Sequence, residues 1–327
     1  MSQLTGQLVI TPGKCYHRLM QAFKFIGNNL APLTLLGALL AYWLPESFLI
    51  FKNVFLWMFA ATMFSLGMVV DLEEFKQLKS ESKKIGLGLL TQYSVMPLLG
   101  ALAAHFSGLP NEVTLGLIIV ACAPGAMASN VVVYLAGGAV AYSIVLTTVA
   151  TLLSPILTPS LIQWLGGELL PIPFWPMVKT ILLIVVLPLS LGMLLQGRLK
   201  VGMEQVKVIA PAIAVLAIVI ICSYAVAANH DRIASMGTQL FGFVVLINAG
   251  GYFIGWQLAK LFRFDHSHQV ALSIEIGMQN AGLGVALALK HFSPATALPG
   301  AIFAVWCILT AAGMTAFMRK KNVVLTN

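Results

Sequence analysis

The sequence predicts an all-α membrane protein with ten transmembrane helices. Of its 327 residues, 59% are hydrophobic and only 9% are charged, and the mean hydropathy is +0.92. A soluble domain carries about 25% charged residues, so this chain cannot cover an ordinary water-facing surface. Long apolar runs follow one another along the chain, and short polar segments separate them. We therefore expect the chain to be embedded in a lipid bilayer.

Ten apolar segments reach the roughly 20 residues that a membrane-spanning helix needs. They lie near residues 30–48, 52–70, 84–106, 111–136, 141–165, 172–196, 206–228, 236–260, 267–290 and 295–318. The chain before them, residues 1–29, contains a basic stretch from Tyr16 to Gly27 that predicts a short helix in the membrane interface. Residues 319–327 form a short basic tail.

The lysines and arginines predict how these spans are oriented. If the N-terminus is cytoplasmic, fifteen of the 19 basic side chains lie on the cytoplasmic side. The four on the opposite side are Lys52, Lys179, Arg232 and Lys290. Cytoplasmic loops of membrane proteins carry this kind of positive excess. We therefore expect both termini to be cytoplasmic.

Two polar clusters that contain glycine interrupt the fourth and ninth spans. Asn130 in the first cluster and Asn280 in the second lie 150 residues apart, close to half the chain. Residues 30–165 and 172–318 each hold five spans, and an odd number forces the two halves into opposite orientations. This pattern predicts an inverted five-plus-five repeat, an arrangement found in many secondary transporters.

The residues in both clusters favour breaks in the helix. Pro124 has no backbone N–H, and Gly125 and Gly277 permit backbone conformations that a membrane helix normally avoids. Such residues often mark only kinks or close packing. Their paired positions nevertheless favour two discontinuous helices, whose ends at mid-membrane would offer carbonyl oxygens to cations and N–H groups to anions.

Glu275 is the only acidic residue inside a long apolar stretch. At the centre of a bilayer a carboxylate costs about 2.5 to 3.5 kcal/mol, so it persists where it has a partner or a task. Ser143 and Thr147 lie four residues apart on one helix face, and Gln92 lies within the third span. These groups could serve packing alone, by bonding within or between helices. Together with the carboxylate they supply the oxygen ligands that a hard cation such as Na⁺ prefers.

The charges also predict coupling between cations and an anion. Glu275 neutralises one Na⁺, and a second Na⁺ would make the loaded site positive. The sequence has no lysine or arginine at mid-membrane, so bound cations and half-helix N-termini would have to hold an anion. A monoanion would then bind well only with sodium in place.

These segments resemble the bile acid:sodium symporter family over essentially the whole chain. The similar motifs are residues 275–280, the region from Pro124 to Thr147, and Gln92 with the residues up to Leu99. The resemblance implies a panel domain of helices 1, 2, 6 and 7 and a core domain of the other helices. It also implies that discontinuous helices 4 and 9 cross within the core.

The resemblance further implies the residues of three binding sites. One sodium ion would be held by Ser129, Asn130, Ser143, Thr147 and Glu275. A second would be held by Gln92, Glu275, Gln279 and the backbone carbonyls of Ile276 and Met278. Substrate would lie between panel and core near Asn280, Met127 and Ala128, and Thr310 is a further candidate in the tenth span.

These features predict sodium-coupled symport of an organic monoanion. Met127 and Ala128 stand where some family members have polar groups, and bacterial relatives are similar to transporters of short acids. We therefore prefer a small hydroxy or oxo acid such as pantoate to a bile acid, and a bacterial inner membrane as the location. Two sodium ions serve as coupling ions, with no other cofactor. The expected partners are the organic anion and the lipid bilayer, without nucleic acid or a protein partner.

A sodium/proton antiporter is the main alternative, because such proteins also use crossed broken helices. They usually need a second buried carboxylate or a nearby lysine, and this sequence has one carboxylate and no lysine at mid-membrane. An intramembrane enzyme would need a nucleophile with a base, yet the 6 histidines lie in loops or at span ends. A non-transport membrane protein would need neither Glu275 nor the paired breaks. We therefore expect that the protein is not an enzyme.

Overall fold

The computed structural model describes residues 12–70, 72–76, 81–196, 198 and 203–325, and regular structure in them is helical apart from one isolated β-bridge. The helices are α1 (Pro12–Asn28), α2 (Leu30–Trp43), α3 (Glu46–Leu49), α4 (Phe55–Gly67), α5 (Ser82–Ser107), α6 (Asn111–Ala121), α7 (Ser129–Leu135), α8 (Val140–Gly166), α9 (Phe174–Ile181), α10 (Leu187–Gln196), α11 (Met203–Ala227), α12 (His230–Leu261), α13 (His266–Gly277), α14 (Ala281–His291) and α15 (Pro294–Leu325). Two 3₁₀ turns, Ile50–Asn53 and Leu72–Lys76, precede α4 and α5, and a π-helical turn, Leu182–Val186, joins α9 to α10.

Within the described residues, six helices are long and apolar enough to cross a bilayer unaided. They are α5, α8, the continuous helix from α9 through α10, α11, α12 and the first part of α15. The number rises to eight when α1 with α2, and Glu46–Asn53 with α4, are each counted as one bent span. The bends in these two pairs are 81° and 73°. The protein is therefore a multi-pass helical membrane protein.

The helices α2 and α4 are shorter than the predicted spans 30–48 and 52–70. The backbone leaves the helical region at Leu44 because the ring of Pro45 disfavours helical geometry in the residue before it. The chain then turns through α3 and the 3₁₀ turn before α4 begins at Phe55. A hydropathy window does not register this turn, because apolar residues such as Phe48, Leu49 and Ile50 predominate in it.

The described residues near the two ends of the chain are helical. The helix α1 includes the stretch predicted to lie in the membrane interface, and it meets α2 at 81°. Residues 1–11 of the predicted N-terminal segment lie outside the described residues, as do residues 326–327 of the predicted tail. In the remainder of that tail the chain is helical, since α15 continues to Leu325.

The helices form two packing groups. In the first, α4 packs against α10 and α11, and α11 also contacts α1 and α2. In the second, α6 packs against α5 and α15, α13 packs against α12, and α14 packs against α15. The helix α8 contacts α5, α6, α7 and α13, so it belongs to the second group. The broken helices of the fourth and ninth predicted spans thus lie together.

Glycines bring α4 and α10 into backbone contact in the first group. A Cβ atom added to Gly67 would lie 2.2 Å from the carbonyl oxygen of Leu189. A Cβ atom on Gly192 would lie 2.3 Å from the carbonyl oxygen of Phe64. Small residues allow this close approach, which is a common basis of helix packing in membranes.

A charged cluster joins the start of α5 to the start of α13. The Asp265 carboxylate caps α13 by accepting hydrogen bonds from the backbone N–H groups of Ser267 (3.1 Å) and His268 (3.2 Å). Glu81 lies 3.1 Å from both the His268 ring and the Lys84 ammonium group. Burial alone would raise the pKa of both carboxyls, but these hydrogen bonds and charges outweigh it and lower the pKa of each.

Candidate functional site

The two interrupted spans meet at their breaks. Between α6 and α7, and between α13 and α14, the chain leaves the helical conformation, and Gly125 pairs with Gln279 as an antiparallel β-bridge. The Asn280 N–H donates to the carbonyl oxygen of Pro124 at 2.8 Å. On the other side of the bridge, the Ala126 N–H donates to the Met278 carbonyl at 2.8 Å. Four helix ends therefore meet where the breaks cross.

Side chains from neighbouring helices satisfy carbonyl groups that the breaks leave without helical partners. The Thr158 hydroxyl donates to the Cys122 carbonyl oxygen at 2.9 Å. The Asn248 amide donates to the Gly277 carbonyl oxygen at 2.9 Å. In a membrane interior, non-helical backbone is stable only where protein groups or a water-lined cavity satisfy it. These two side chains therefore help to stabilise the non-helical backbone at the breaks.

Glu275 lies in the last turn of α13 and is 1% exposed. Its carboxylate accepts hydrogen bonds from the hydroxyls of Ser129 and Thr147, each at 2.5 Å, and from the hydroxyl of Ser143. The Ser143 hydroxyl also lies 2.7 Å from the side-chain oxygen of Asn130. The structure thus brings together all five residues that the resemblance implies for a first sodium site. They come from α7, α8 and α13.

Gly125 leaves the space that the Glu275 carboxylate fills. A Cβ atom at position 125 would lie 2.9 Å from the Oε2 atom of Glu275 and 3.6 Å from its carbonyl oxygen. The break in the fourth span therefore passes directly against the carboxylate. Glycine is required here because it has no Cβ atom, which leaves room for the carboxylate to approach the backbone. The sequence alone explains Gly125 only by its backbone freedom.

The residues implied for a second sodium site also lie together. The Gln92 amide N–H donates to the side-chain oxygen of Gln279 at 2.9 Å, and both side chains are buried. The Gln279 amide N–H donates to the Ile276 carbonyl at 2.8 Å. The Met278 carbonyl oxygen accepts one of the two hydrogen bonds of the β-bridge, from the Ala126 N–H. This group adjoins the first set, because Ile276 directly follows Glu275 in α13.

Three of the four predicted substrate residues lie at the crossing. Asn280 caps α14 by accepting a hydrogen bond from the Leu283 N–H at 3.1 Å, and Met127 and Ala128 immediately precede α7. Thr310 is not brought together with them. Its hydroxyl donates to the side-chain oxygen of Asn248 at 3.0 Å, so it contacts the crossing only through that amide.

Asn248 is the residue that the sequence analysis missed. Its side chain is 1% exposed and bridges Thr310 on α15 to the Gly277 carbonyl at the end of α13. The available signal was an amide at the middle of an apolar span, which is the same signal that singled out Gln92. A polar side chain at membrane depth is a candidate for function by that fact alone.

The atoms around the Glu275 carboxylate are of the kind that a hard cation prefers. Among the residues that the structure describes, no lysine, arginine or histidine forms an ion pair with Glu275. The contacting atoms are carboxylate, hydroxyl and amide oxygens, which alkali and alkaline-earth cations prefer over soft ligands. Across the described ranges, no group of three His, Cys, Asp or Glu side chains is placed to hold a metal. The surrounding groups thus fit Na⁺ better than a transition metal.

Comparison with known proteins connects this arrangement to a family. The profile of the Sodium Bile acid symporter family matches residues 55–236, which include α4 through α11 and the first break. The chain belongs to this family. The resemblance seen in the sequence motifs is therefore confirmed.

Relatives of known sequence match most of the chain. The "Uncharacterized sodium-dependent transporter YocS" of Bacillus subtilis (strain 168) is 35% identical over 297 residues, which are 91% of this chain and 92% of that protein. The "Probable sodium/metabolite cotransporter BASS1, chloroplastic" of Oryza sativa subsp. japonica is 38% identical over 75% of this chain, but the match spans only 60% of the rice protein. The Arabidopsis thaliana protein of the same name is 34% identical over 83% of this chain and 68% of its own length.

Proposed function

We propose that the protein is a secondary active transporter that couples Na⁺ to symport of an organic monoanion by alternating access. The observation that carries this proposal is the buried Glu275 carboxylate, which three hydroxyls contact and no basic side chain in the described residues neutralises. A bound cation would balance this charge within the membrane. The relatives named as sodium-dependent transporters and sodium/metabolite cotransporters support the same ion.

In this proposal two sodium ions bind on either side of Glu275. The first is held by Ser129, Asn130, Ser143, Thr147 and Glu275, and the second by Gln92, Gln279, Glu275 and the carbonyls of Ile276 and Met278. The hydrogen bonds within each set support this grouping, because they bring the oxygen atoms into one small volume. With both ions in place the site is positive, which favours an anion only in the loaded state.

The packing groups support alternating access between a panel domain and a core domain. The group of α2, α4, α10 and α11 corresponds to the panel, and the group that contains both breaks corresponds to the core. Counting α6 with α7, and α13 with α14, as one broken span each adds two spans to the eight and makes ten. The antiparallel bridge between the breaks supports an inverted repeat. Both termini would then be cytoplasmic, in a bacterial inner membrane.

The substrate in this proposal lies at the interface of panel and core beside Asn280, Met127 and Ala128. The helix α14 begins there, and a helix N-terminus favours a carboxylate. A small hydroxy or oxo acid such as pantoate is preferred to a bile acid, because Met127 and Ala128 offer no polar side chain for steroid hydroxyls. Thr310 would influence the substrate through Asn248.

The test is uptake into proteoliposomes that contain the purified protein. Labelled pantoate and a labelled bile acid are supplied under a sodium gradient or a matched potassium gradient. We expect uptake under the sodium gradient and none under the potassium gradient. We expect Glu275→Ala to abolish the sodium-driven uptake while the variant still elutes as a folded monodisperse peak. Glu204→Ala is the matched control, since the side chain of Glu204 is 88% exposed. Uptake that persists unchanged in Glu275→Ala would remove the main assignment.

The same vesicles separate symport from sodium/proton antiport. An antiporter would move sodium in response to a pH gradient without any organic anion. The crossing offers Glu275 as its sole carboxylate among the contacts described above, and antiporters usually need a second titratable group for the exchanged protons. We therefore expect no sodium movement driven by a pH gradient in the absence of substrate.

A further inference from the structure

A cavity of about 1190 Å³ opens between the two packing groups. The 3₁₀ turn Ile50–Asn53, the start of α4, the π-helical turn and the end of α11 form one wall. The end of α14, with the residues that follow it, forms the other wall. Ligand cavities in proteins commonly have volumes of about 300–1,000 Å³, so an organic molecule fits with room for water.

Two lysines face this cavity from different walls. Lys52 belongs to the 3₁₀ turn, and Lys290 lies near the end of α14. The cavity has no aspartate or glutamate among its described lining residues. Neither lysine takes part in an ion pair within the described part of the chain. A cleft lined by charges of one sign focuses the potential and concentrates oppositely charged solutes.

The remaining surface of the cavity is largely apolar and aromatic. Leu56 and Ile184 contribute aliphatic surface, and Phe55 stacks on Tyr224 with ring centroids 5.9 Å apart and an interplanar angle of 13°. Both stacked residues are buried, with exposures of 6% and 5%, and both line the cavity. Positive charge at the opening and an apolar interior suit a molecule that has one anionic group and an apolar body.

The cavity is connected to the crossing of the breaks by α14 itself. Lys290 follows Asn280 by ten residues of this helix, which corresponds to about 15 Å along the axis. Beyond the Phe55 ring, the next turn of α4 carries Phe59, which packs against Gly282 at the start of α14. An anion in the cavity would therefore be separated from Asn280 by a short aromatic layer.

From this geometry we infer that the cavity is an outer capture site for an organic carboxylate with an apolar body, and that Lys52 and Lys290 attract its carboxylate. The inference deepens the proposed function and rests on it for the identity of the solute as transported substrate. Two of the four basic residues predicted on the non-cytoplasmic side thus have a task beyond orienting the chain. Lys179 and Arg232, the other two, do not line the cavity.

The attraction of the two lysines for an anion can be measured without a transport assay. The measurement is the reactivity of a cysteine placed inside the cavity. Leu56→Cys is introduced with Cys15→Ala, while Cys122, Cys222 and Cys307 are buried and can remain. The labelling rate with an anionic methanethiosulfonate is divided by the rate with a cationic one. We expect this ratio to exceed the ratio for the free thiol, and to fall about tenfold in Lys52→Gln/Lys290→Gln because two cations are lost. Lys179→Gln is the matched control and should leave the ratio unchanged.

Transport supplies the second measurement. If sodium-driven uptake of a carboxylate is found, each Lys→Gln change should raise KM about twofold to fivefold with kcat unchanged, and Lys→Arg should restore KM. A labelling ratio that does not respond to loss of both lysines overturns the capture site, whatever the uptake shows. A ratio that falls as expected, in a protein without sodium-driven uptake, refutes the proposed function and leaves the anion-attracting cavity established.

Discussion

Replacing Gly125 by alanine would add one methyl group beside the Glu275 carboxylate. The new Cβ atom would lie 2.9 Å from Oε2, about 0.5 Å inside ordinary van der Waals contact. The carboxylate cannot easily retreat, because hydroxyls of α7 and α8 hold both of its oxygens. Either the carboxylate or the broken backbone must therefore move by about half an ångström.

A shift of that size is large for an ion site, since functional geometry is held to within about 0.5 Å. Changes to groups that orient metal ligands typically cost about tenfold to a hundredfold in affinity. We expect Gly125→Ala to raise the sodium concentration for half-maximal effect by at least about tenfold. The carboxylate stays in place, so binding should weaken without being lost.

Thermal denaturation of purified protein across a sodium titration measures this effect without knowledge of the substrate, because a ligand that binds the folded state raises Tm with its concentration. Potassium replaces sodium at constant ionic strength. Gly86→Ala is the matched control, since a Cβ atom there would meet nothing within 4 Å. If Gly125→Ala unfolds cooperatively in potassium and responds to sodium at the wild-type concentration, the proposed first sodium site is refuted.

Three further predictions concern the surrounding structure. Asn248→Ala leaves the Gly277 carbonyl without its buried donor, so thermal or chemical denaturation should show a loss of about 1–3 kcal/mol; unchanged stability would contradict the supporting role. Gly192→Ala should lower Tm, because the added methyl group would collide with the backbone where α4 and α10 meet. Gly242→Ala should not lower Tm, since there is open space around Gly242. Equal Tm values for the two variants would contradict this packing. Because the pKa of Asp265 is lowered in the folded protein, its carboxylate stabilises the fold above about pH 4, and that stability is lost as the pH falls toward the folded pKa. Asp265→Asn should therefore make the decline of Tm between about pH 5 and pH 3 shallower, and an identical decline would contradict the cap.

The sequence predicts the membrane-embedded, all-helical fold because burial in lipid leaves a direct mark on composition. It also singles out Glu275 and the hydroxyl pair Ser143 and Thr147, because a charge in an apolar stretch and a spacing of four residues are both visible along one chain. The position of a side chain relative to the other helices cannot be read from the sequence in this way. The direction in which Thr310 points, toward Asn248, depends on how α15 rotates against α12.

Two other features depend on contacts between distant parts of the chain. Gly125 is recognisable as a helix breaker, but its distance from Glu275 follows from the antiparallel pairing of the two breaks. The cavity likewise needs Lys52 and Lys290 to face one space, although they are far apart in sequence. The distribution of basic residues along the sequence identifies both lysines only as markers of orientation.

Saturable binding of radioactive sodium to purified protein decides the claim that the buried carboxylate of Glu275 is a sodium ligand. Glu275→Gln keeps the size of the side chain and removes its charge, and Glu204→Gln serves as the exposed control. We expect wild type and Glu204→Gln to bind sodium with the same affinity in excess potassium, and Glu275→Gln to show no saturable binding while remaining folded. Saturable binding by Glu275→Gln at the wild-type affinity would contradict the claim.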